Sequence, residues 1–240
     1  MVVSGTPGGS RPQRRFCVMT TGRTGSTALM DAIAASPDVA VPGRQLDCRD
    51  HELMHPLRGA DYALELGARL GRPVLARAGL VDAFFELNGD RPFAGFKSMP
   101  DRHEHLEAFV RRADIRIITL RRRDIVATAA SFLLAMTRGT WRRDGGRPPQ
   151  RLRLDAALQP RLQRSLRYLR DALRALDAIP DAICLDYEDL CEQDFASPAL
   201  DRFFGRPVRL ARPRGATRAE DYVDDFDAFE TFVHRCWAEH

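Results

Sequence analysis

The segment Thr21-Gly22-Arg23-Thr24-Gly25-Ser26-Thr27 gathers hydroxyls, glycines and one guanidinium where a short apolar run, Phe16 to Met19, gives way to the helical pattern of Ala28 to Ile33. Gly22 and Gly25 let the backbone turn tightly. The N–H groups that open a helix supply both free donors and the positive end of its dipole. That combination binds anions, phosphate above all. Ser26 and Thr27 add hydroxyl donors, and Arg23 adds a full charge. A Walker-type loop reads G-x-x-x-x-G-K-[ST], whereas no lysine follows Gly25 here. The same residues also suit an ordinary strand-to-helix turn capped by Thr24 or Ser26.

A second set lies further along. The apolar run Ile115 to Leu120 leads into Arg121-Arg122-Arg123-Asp124 and then a helical stripe that carries Ser131. Arg123 at the strand end and Ser131 two turns into the helix can meet on one ligand group, because eight helical residues span only ~12 Å. A solvated basic turn with Ser131 as a filler is the alternative. Lys97 is the third candidate. It is the sole lysine in a total of 37 lysines and arginines, it ends the predicted strand Phe93 to Lys97, and its compact ammonium does what a planar guanidinium cannot.

Taken together, these stretches resemble the sulfotransferases that use 3'-phosphoadenosine 5'-phosphosulfate (PAPS). Arg23-Thr24-Gly25-Ser26-Thr27 is similar to their 5'-phosphosulfate loop, Arg123-Asp124 followed by Ser131 to their 3'-phosphate motif, and Tyr187-Glu188-Asp189-Leu190 to a segment whose tyrosine lies near the adenine. Within that family the chain is most similar to the bacterial carbohydrate branch, which includes rhizobial nodulation-factor and mycobacterial trehalose sulfotransferases. Gly95-Phe96-Lys97, Thr140-Trp141 and the tail from Arg212-Pro213-Arg214-Gly215 to Asp225-Phe226-Asp227 carry that likeness. The resemblance implies a P-loop-like fold, PAPS as co-substrate, no metal, and transfer of a sulfonate to a hydroxyl of a sugar, glycolipid or other small metabolite. It implies that Arg23 to Thr27, Arg123, Ser131, Tyr187 and Arg214 bind the donor, while Arg23 and Lys97 stabilise charge on the departing 5'-phosphate. A homodimer is common in this branch.

The likeness fails at one place. Relatives carry a Gly-Glu pair after the first helix, whose glutamate receives the acceptor's proton, but here the segment reads Pro42-Gly43-Arg44-Gln45-Leu46-Asp47. Neither a guanidinium nor an amide can take that role. Asp47, His51, Glu52, His55 and His103 are the substitutes near enough in sequence, and the histidines titrate closest to neutral pH. The missing glutamate keeps open a protein that binds the donor without catalysis, and the loop keeps open a P-loop nucleotide kinase.

These residues need elements to position them. Predicted strands at 16–19, 93–97, 115–120 and 182–186 alternate with helices, the clearest over 155–178, where Leu158, Leu162, Leu166, Leu169, Leu173 and Leu176 recur at steps of three and four. Such alternation predicts an α/β, three-layer fold with a central parallel sheet of four to five strands flanked by helices. Residues 41–59 and 139–154 read as long loops. Residues 1–14, almost without apolar side chains, read as a disordered leader to a single domain over 15–240.

Composition narrows the class further. At 240 residues and 44% apolar content the chain can bury a full core. It has no apolar run long enough for a membrane span and no apolar signal-peptide core. The five cysteines are odd in number and lack C-x-x-C spacing, which predicts reduced thiols in a cytoplasmic protein, with neither a disulfide framework nor a zinc site. The net charge of +4 suits an anionic ligand. Arginines interleaved with acids, and few aromatics among them, argue against nucleic acid.

Overall fold

The computed structural model describes residues 12–46, 48, 50–55, 58–75, 77–100, 110–138, 151–192, 195–210 and 218–238. At its centre is an all-parallel sheet of five strands: β1 (Arg14–Thr20), β2 (Val39–Ala40), β3 (Phe93–Ser98), β4 (Ile115–Arg121) and β5 (Ile183–Asp186), in the order β2-β3-β1-β4-β5. β1 is central, with Val18 in register with Lys97 on one side and Ile118 on the other. The connection after β1 leaves toward the β2 edge and that after β4 toward the β5 edge, so the loops after these two neighbouring strands open at the switch point where α/β folds hold ligands. The α/β class and the parallel sheet match the expectation. Strand β2, only two residues long, was too short to leave a periodic signal.

Alternation along β1 builds the layers. Cys17 and Met19 face a core shared with Leu66 of α3 (Gly59–Leu70), with Phe84 and Phe85 beside α3, and with Phe96 of β3. The adjoining helix α4 spans Arg77–Leu87. Phe16 and Val18 face the opposite core, with Leu29, Met30 and Ile33 of α1 (Ser26–Ile33) and Leu200 and Phe204 of α8 (Pro198–Phe204). Each such side chain removed from water stabilises the fold by roughly 1.5–3 kcal/mol.

A third cluster joins α5 (Ile125–Arg138), α6 (Gln159–Asp177) and α9 (Phe226–Ala238) through Leu133, Leu166, Phe229 and Val233. The leucine stripe of α6 faces inward as its spacing predicts. The helix begins at Gln159 and not at 155, because the Asp155 carboxylate accepts the N–H groups of Ala157 and Leu158 in a turn before Pro160.

Two expected loops change character or fall outside view. Pro42 at a first helical position starts the short helix α2 (Pro42–Gln45), and Glu52 forms a parallel bridge with Lys97, so 41–59 is partly ordered against the sheet. Residues 139–150 and 1–11 lie outside the described residues, and Arg14, at the end of the expected leader, is the first residue of β1. Among the described residues no helix is long and apolar enough to cross a membrane.

Candidate functional site

The loop after β1 is wound tightly by two residues in the left-handed region, Arg23 (φ 68) and Gly25 (φ 72). Gly25 caps α1 with no side-chain hydrogen bond. The capped-turn alternative is therefore not what forms: the Thr24 hydroxyl donates backwards, to the Thr21 carbonyl at 3.0 Å, and also pairs with the Thr20 hydroxyl. The opening amides of α1 are left without a side-chain cap, as an anion site requires. Thr20, Thr21 and Thr24 are wholly buried and Ser26 nearly so, while Thr27 is half-buried.

Arg23 ties this loop to α5. Its Nε donates to Ser131 Oγ at 2.6 Å. Its carbonyl accepts from Arg122 Nη1 at 3.4 Å, and the Arg122 guanidinium lies 4.6 Å from the centroid of the Tyr187 ring, a cation–π contact. Tyr187 opens the short helix α7 (Tyr187–Leu190) directly after β5. Its ring sits so close to the loop that a Cβ on Gly25 would lie 2.9 Å from Cε2. Only glycine serves there, on space and on φ alike. Two polar atoms at this junction, Thr21 Oγ1 and Arg122 Nε, are buried without a hydrogen-bond partner among the described residues. Groups of that kind are costly unless something satisfies them.

Arg123 turns away from this junction. It is 58% exposed, donates through Nη2 to Asp189 Oδ1 at 3.1 Å, and holds its Nε 3.6 Å from Asp186 Oδ2 and 3.7 Å from Glu188 Oε2. Arg123 and Ser131, expected to meet on one ligand group, do not bond each other directly; Ser131 accepts from Arg23, and Arg122 lies beside the loop. The reason is local. β4 ends at Arg121, so strand alternation does not carry into this turn, and the carboxylates of Asp186, Glu188 and Asp189 hold Arg123. Glu188 also receives the backbone N–H groups of Arg123 and Asp124, both at 3.1 Å to Oε1, and so anchors the start of α5. Asp124 caps the helix by accepting from Ala127 N–H at 2.7 Å. Arg122 and Glu188 were not singled out in the sequence, because a run of three arginines gives no sign of which one faces inward.

Chain comparisons add no relative: neither a family model nor a curated protein matches.

Lys97 lies within β3 near its C-terminal end, 4% exposed, and not on the surface. Its residue shares the face of β3 that carries Phe93 and Gly95, the face covered by α1. Its backbone N–H donates to the His51 carbonyl at 2.8 Å, and Glu52, 5% exposed, stands beside it in the parallel bridge. His51 is wholly engaged. Nδ1 accepts from Gly43 N–H at 3.3 Å and Nε2 bonds Asp31 Oδ1 at 2.9 Å. The ring packs so tightly on α2 that a Cβ at Gly43 would lie 2.4 Å from it. His55 is half-buried, and its carbonyl accepts from Arg58 and Gly59 at the start of α3. Asp47, His103 and Arg214 lie outside the described residues.

Around Glu52, burial pushes the Cys48 thiol up from its ordinary range, and it does the same to the Tyr62 hydroxyl that hydrogen-bonds it. Cys48 Sγ also donates to the Glu52 carbonyl at 3.4 Å. No group of three or more metal-binding side chains occurs among the described residues.

Proposed function

We propose that this protein is a sulfotransferase that moves a sulfonate from PAPS to an acceptor hydroxyl and releases 3',5'-ADP. The observation that carries the reading is the 2.6 Å hydrogen bond from Arg23 to Ser131, which joins the loop after β1 to the helix after β4 at one spot. A donor with a phosphate at each end of its ribose needs two anion sites at such a junction. A nucleoside triphosphate needs one row of phosphates and a lysine that this loop lacks.

In this reading the opening amides of α1, with Ser26 and Thr27, receive the 5'-phosphosulfate. Arg122 and Ser131 receive the 3'-phosphate by charge-assisted hydrogen bonds, and the buried, unpartnered Arg122 Nε and Thr21 Oγ1 favour an anionic occupant. Tyr187 lines the adenine side, where its ring is already held by Gly25 and Arg122. Arg214 belongs to the same site by resemblance. During transfer the acceptor oxygen forms a bond to sulfur while the bond from sulfur to the 5'-phosphate oxygen breaks, and the electron pair stays on the phosphate. Fixed cations aimed at that oxygen lower the barrier, and loss of one such donor typically costs about 10²–10³ in rate. Arg23 and Lys97 take that role. The acceptor is a sugar, a glycolipid or another small metabolite, and free thiols buried at Cys17 and Cys48 suit the reducing cytoplasm.

Titration calorimetry with 3',5'-ADP, 5'-AMP and ATP with Mg²⁺ tests the reading. The expected result is a clear preference for 3',5'-ADP. Preference for ATP with Mg²⁺ replaces the sulfotransferase with a nucleotide kinase.

A further inference from the structure

Resting on the sulfotransferase reading, one question is left at the site: where the acceptor's proton goes, since Arg44 occupies the position of the family's glutamate. His51 has no lone pair to offer. With Nε2 bonded to Asp31 and Nδ1 accepting from Gly43, its ring is a structural pin between α1 and α2. We propose that Glu52 receives the proton, as a catalytic carboxylate set beside the only lysine of the chain.

The placement follows from the sheet. The parallel bridge between Glu52 and Lys97 continues the β2 edge, and Lys97 is in register with Val18 of β1. Glu52, Lys97 and Val18 thus form one row across three neighbouring chain segments at the C-terminal end of the sheet. Paired residues in a parallel bridge direct their side chains to the same side, and each step across the sheet is about 4.8 Å. The donor loop rises from β1 just beyond Val18. An acceptor seated over the end of β3 therefore has the donor loop on one flank, Glu52 on the other and Lys97 between them.

Both side chains are more than nine-tenths buried, and the hydrogen bond from Lys97 N–H to the His51 carbonyl, 2.8 Å, holds the pair in register. The step balances. The acceptor O–H proton passes to the Glu52 carboxylate as the oxygen bonds sulfur, the electron pair of the broken S–O bond stays on the 5'-phosphate, and Glu52 later returns the proton to water.

Glu52→Gln keeps the size of the side chain and removes its basicity. The test, run at about pH 8, measures radiolabelled sulfonate transfer from PAPS to methyl glucoside and to 4-nitrophenol, which is largely ionised at that pH and needs no base, together with calorimetric binding of 3',5'-ADP. The expected result is 3',5'-ADP affinity within about twofold of the parent, loss of glucoside transfer by about 10²–10⁴-fold, and little loss with 4-nitrophenol. Equal losses for both acceptors, or no loss for the glucoside, overturn the proposal.

Glu52→Asp guards against a variant that does not fold. It retains a carboxylate, so its glucoside transfer stays above that of Glu52→Gln while falling further than its 4-nitrophenol transfer, and uniform loss again overturns the role. A parent protein that binds 3',5'-ADP but labels neither acceptor refutes the role of Glu52 and leaves the donor site standing. Failure to bind 3',5'-ADP removes the donor reading itself.

Discussion

Arg23 and Ser131, 108 residues apart in the chain, are joined by a hydrogen bond of 2.6 Å. The contact closes the loop after β1 against the helix that follows the neighbouring strand, and Arg122, one of three consecutive arginines, also reaches that loop at the Arg23 carbonyl. Arg122 faces inward, over Tyr187; Arg123 faces the carboxylates of Asp186, Glu188 and Asp189.

The two neighbouring arginines should separate in binding. Arg122→Ala is expected to weaken 3',5'-ADP by about tenfold or more, the scale of one hydrogen bond to a charged group, with a smaller effect on 5'-AMP. Arg123→Ala, which removes a solvent-screened ion cluster, is expected to change both affinities by less than about threefold. Calorimetry on both variants checks this, and the reverse ranking would return the 3'-phosphate to Arg123.

Gly25 and Tyr187 form a second pair. Gly25→Ala meets a φ of 72° and a ring atom 2.9 Å from the new Cβ. The left-handed conformation alone costs roughly 1–2 kcal/mol, and the overlap adds to it. In a Tyr187→Ala background the overlap is gone and only the backbone cost remains. Urea unfolding of the four proteins in this cycle should therefore show Gly25→Ala costing less when Tyr187 is absent, and strict additivity would mean that the ring and the glycine do not touch.

Asp114 makes acid stability predictable in sign. The Arg112 guanidinium, and to a lesser degree Arg15, hold its carboxyl well below the usual carboxylate range. Its folded pKa is thus lower than its unfolded value near ~4. The stabilisation is fully present above that unfolded value and is lost as pH falls toward the folded one, because the unfolded chain then binds the proton more readily. With 46% of the Asp114 side chain exposed, the effect after solvent screening is ~1 kcal/mol at most. Unfolding midpoints measured from pH 5 to 2 should fall less steeply in Asp114→Asn than in the parent.

Thiol chemistry reports on the segment that carries Glu52. Burial pushes the thiols of Cys17 and Cys48 up, whereas Cys184 is exposed. Because the thiolate is the reactive form, iodoacetamide should alkylate Cys184 first and reach Cys17 and Cys48 only after unfolding, as peptide mass spectrometry would show. Cys48 reacting at the rate of Cys184 would mean that the segment opens away from β3, and the row of Glu52, Lys97 and Val18 would not be a stable arrangement.

Much of the architecture was legible in the chain because it is carried by local pattern. The apolar runs ending at Met19, Lys97, Leu120 and Asp186 became β1, β3, β4 and β5 with boundaries shifted by one or two residues, and the leucine steps of α6 faced inward. The missed pieces had no such pattern. β2 is two residues long, Glu52 joins the sheet through a single bridge, and the start of α6 was displaced by the Asp155 turn.

By itself, the sequence determined a parallel α/β fold with a tight turn through Gly25 after its first strand, since period, length and glycine placement act within a few residues. The resemblance to the sulfotransferases, and the Gly43-Arg44 that stands where they carry a Gly-Glu pair, were likewise read from the residues alone. Only the tertiary structure decided that Ser131 meets Arg23, that Arg122 faces the junction while Arg123 is held by carboxylates, and that Lys97 and Glu52 lie buried side by side. Each of those outcomes depends on which distant chain arrives on which face of a strand end, and nothing within the span of a motif encodes that.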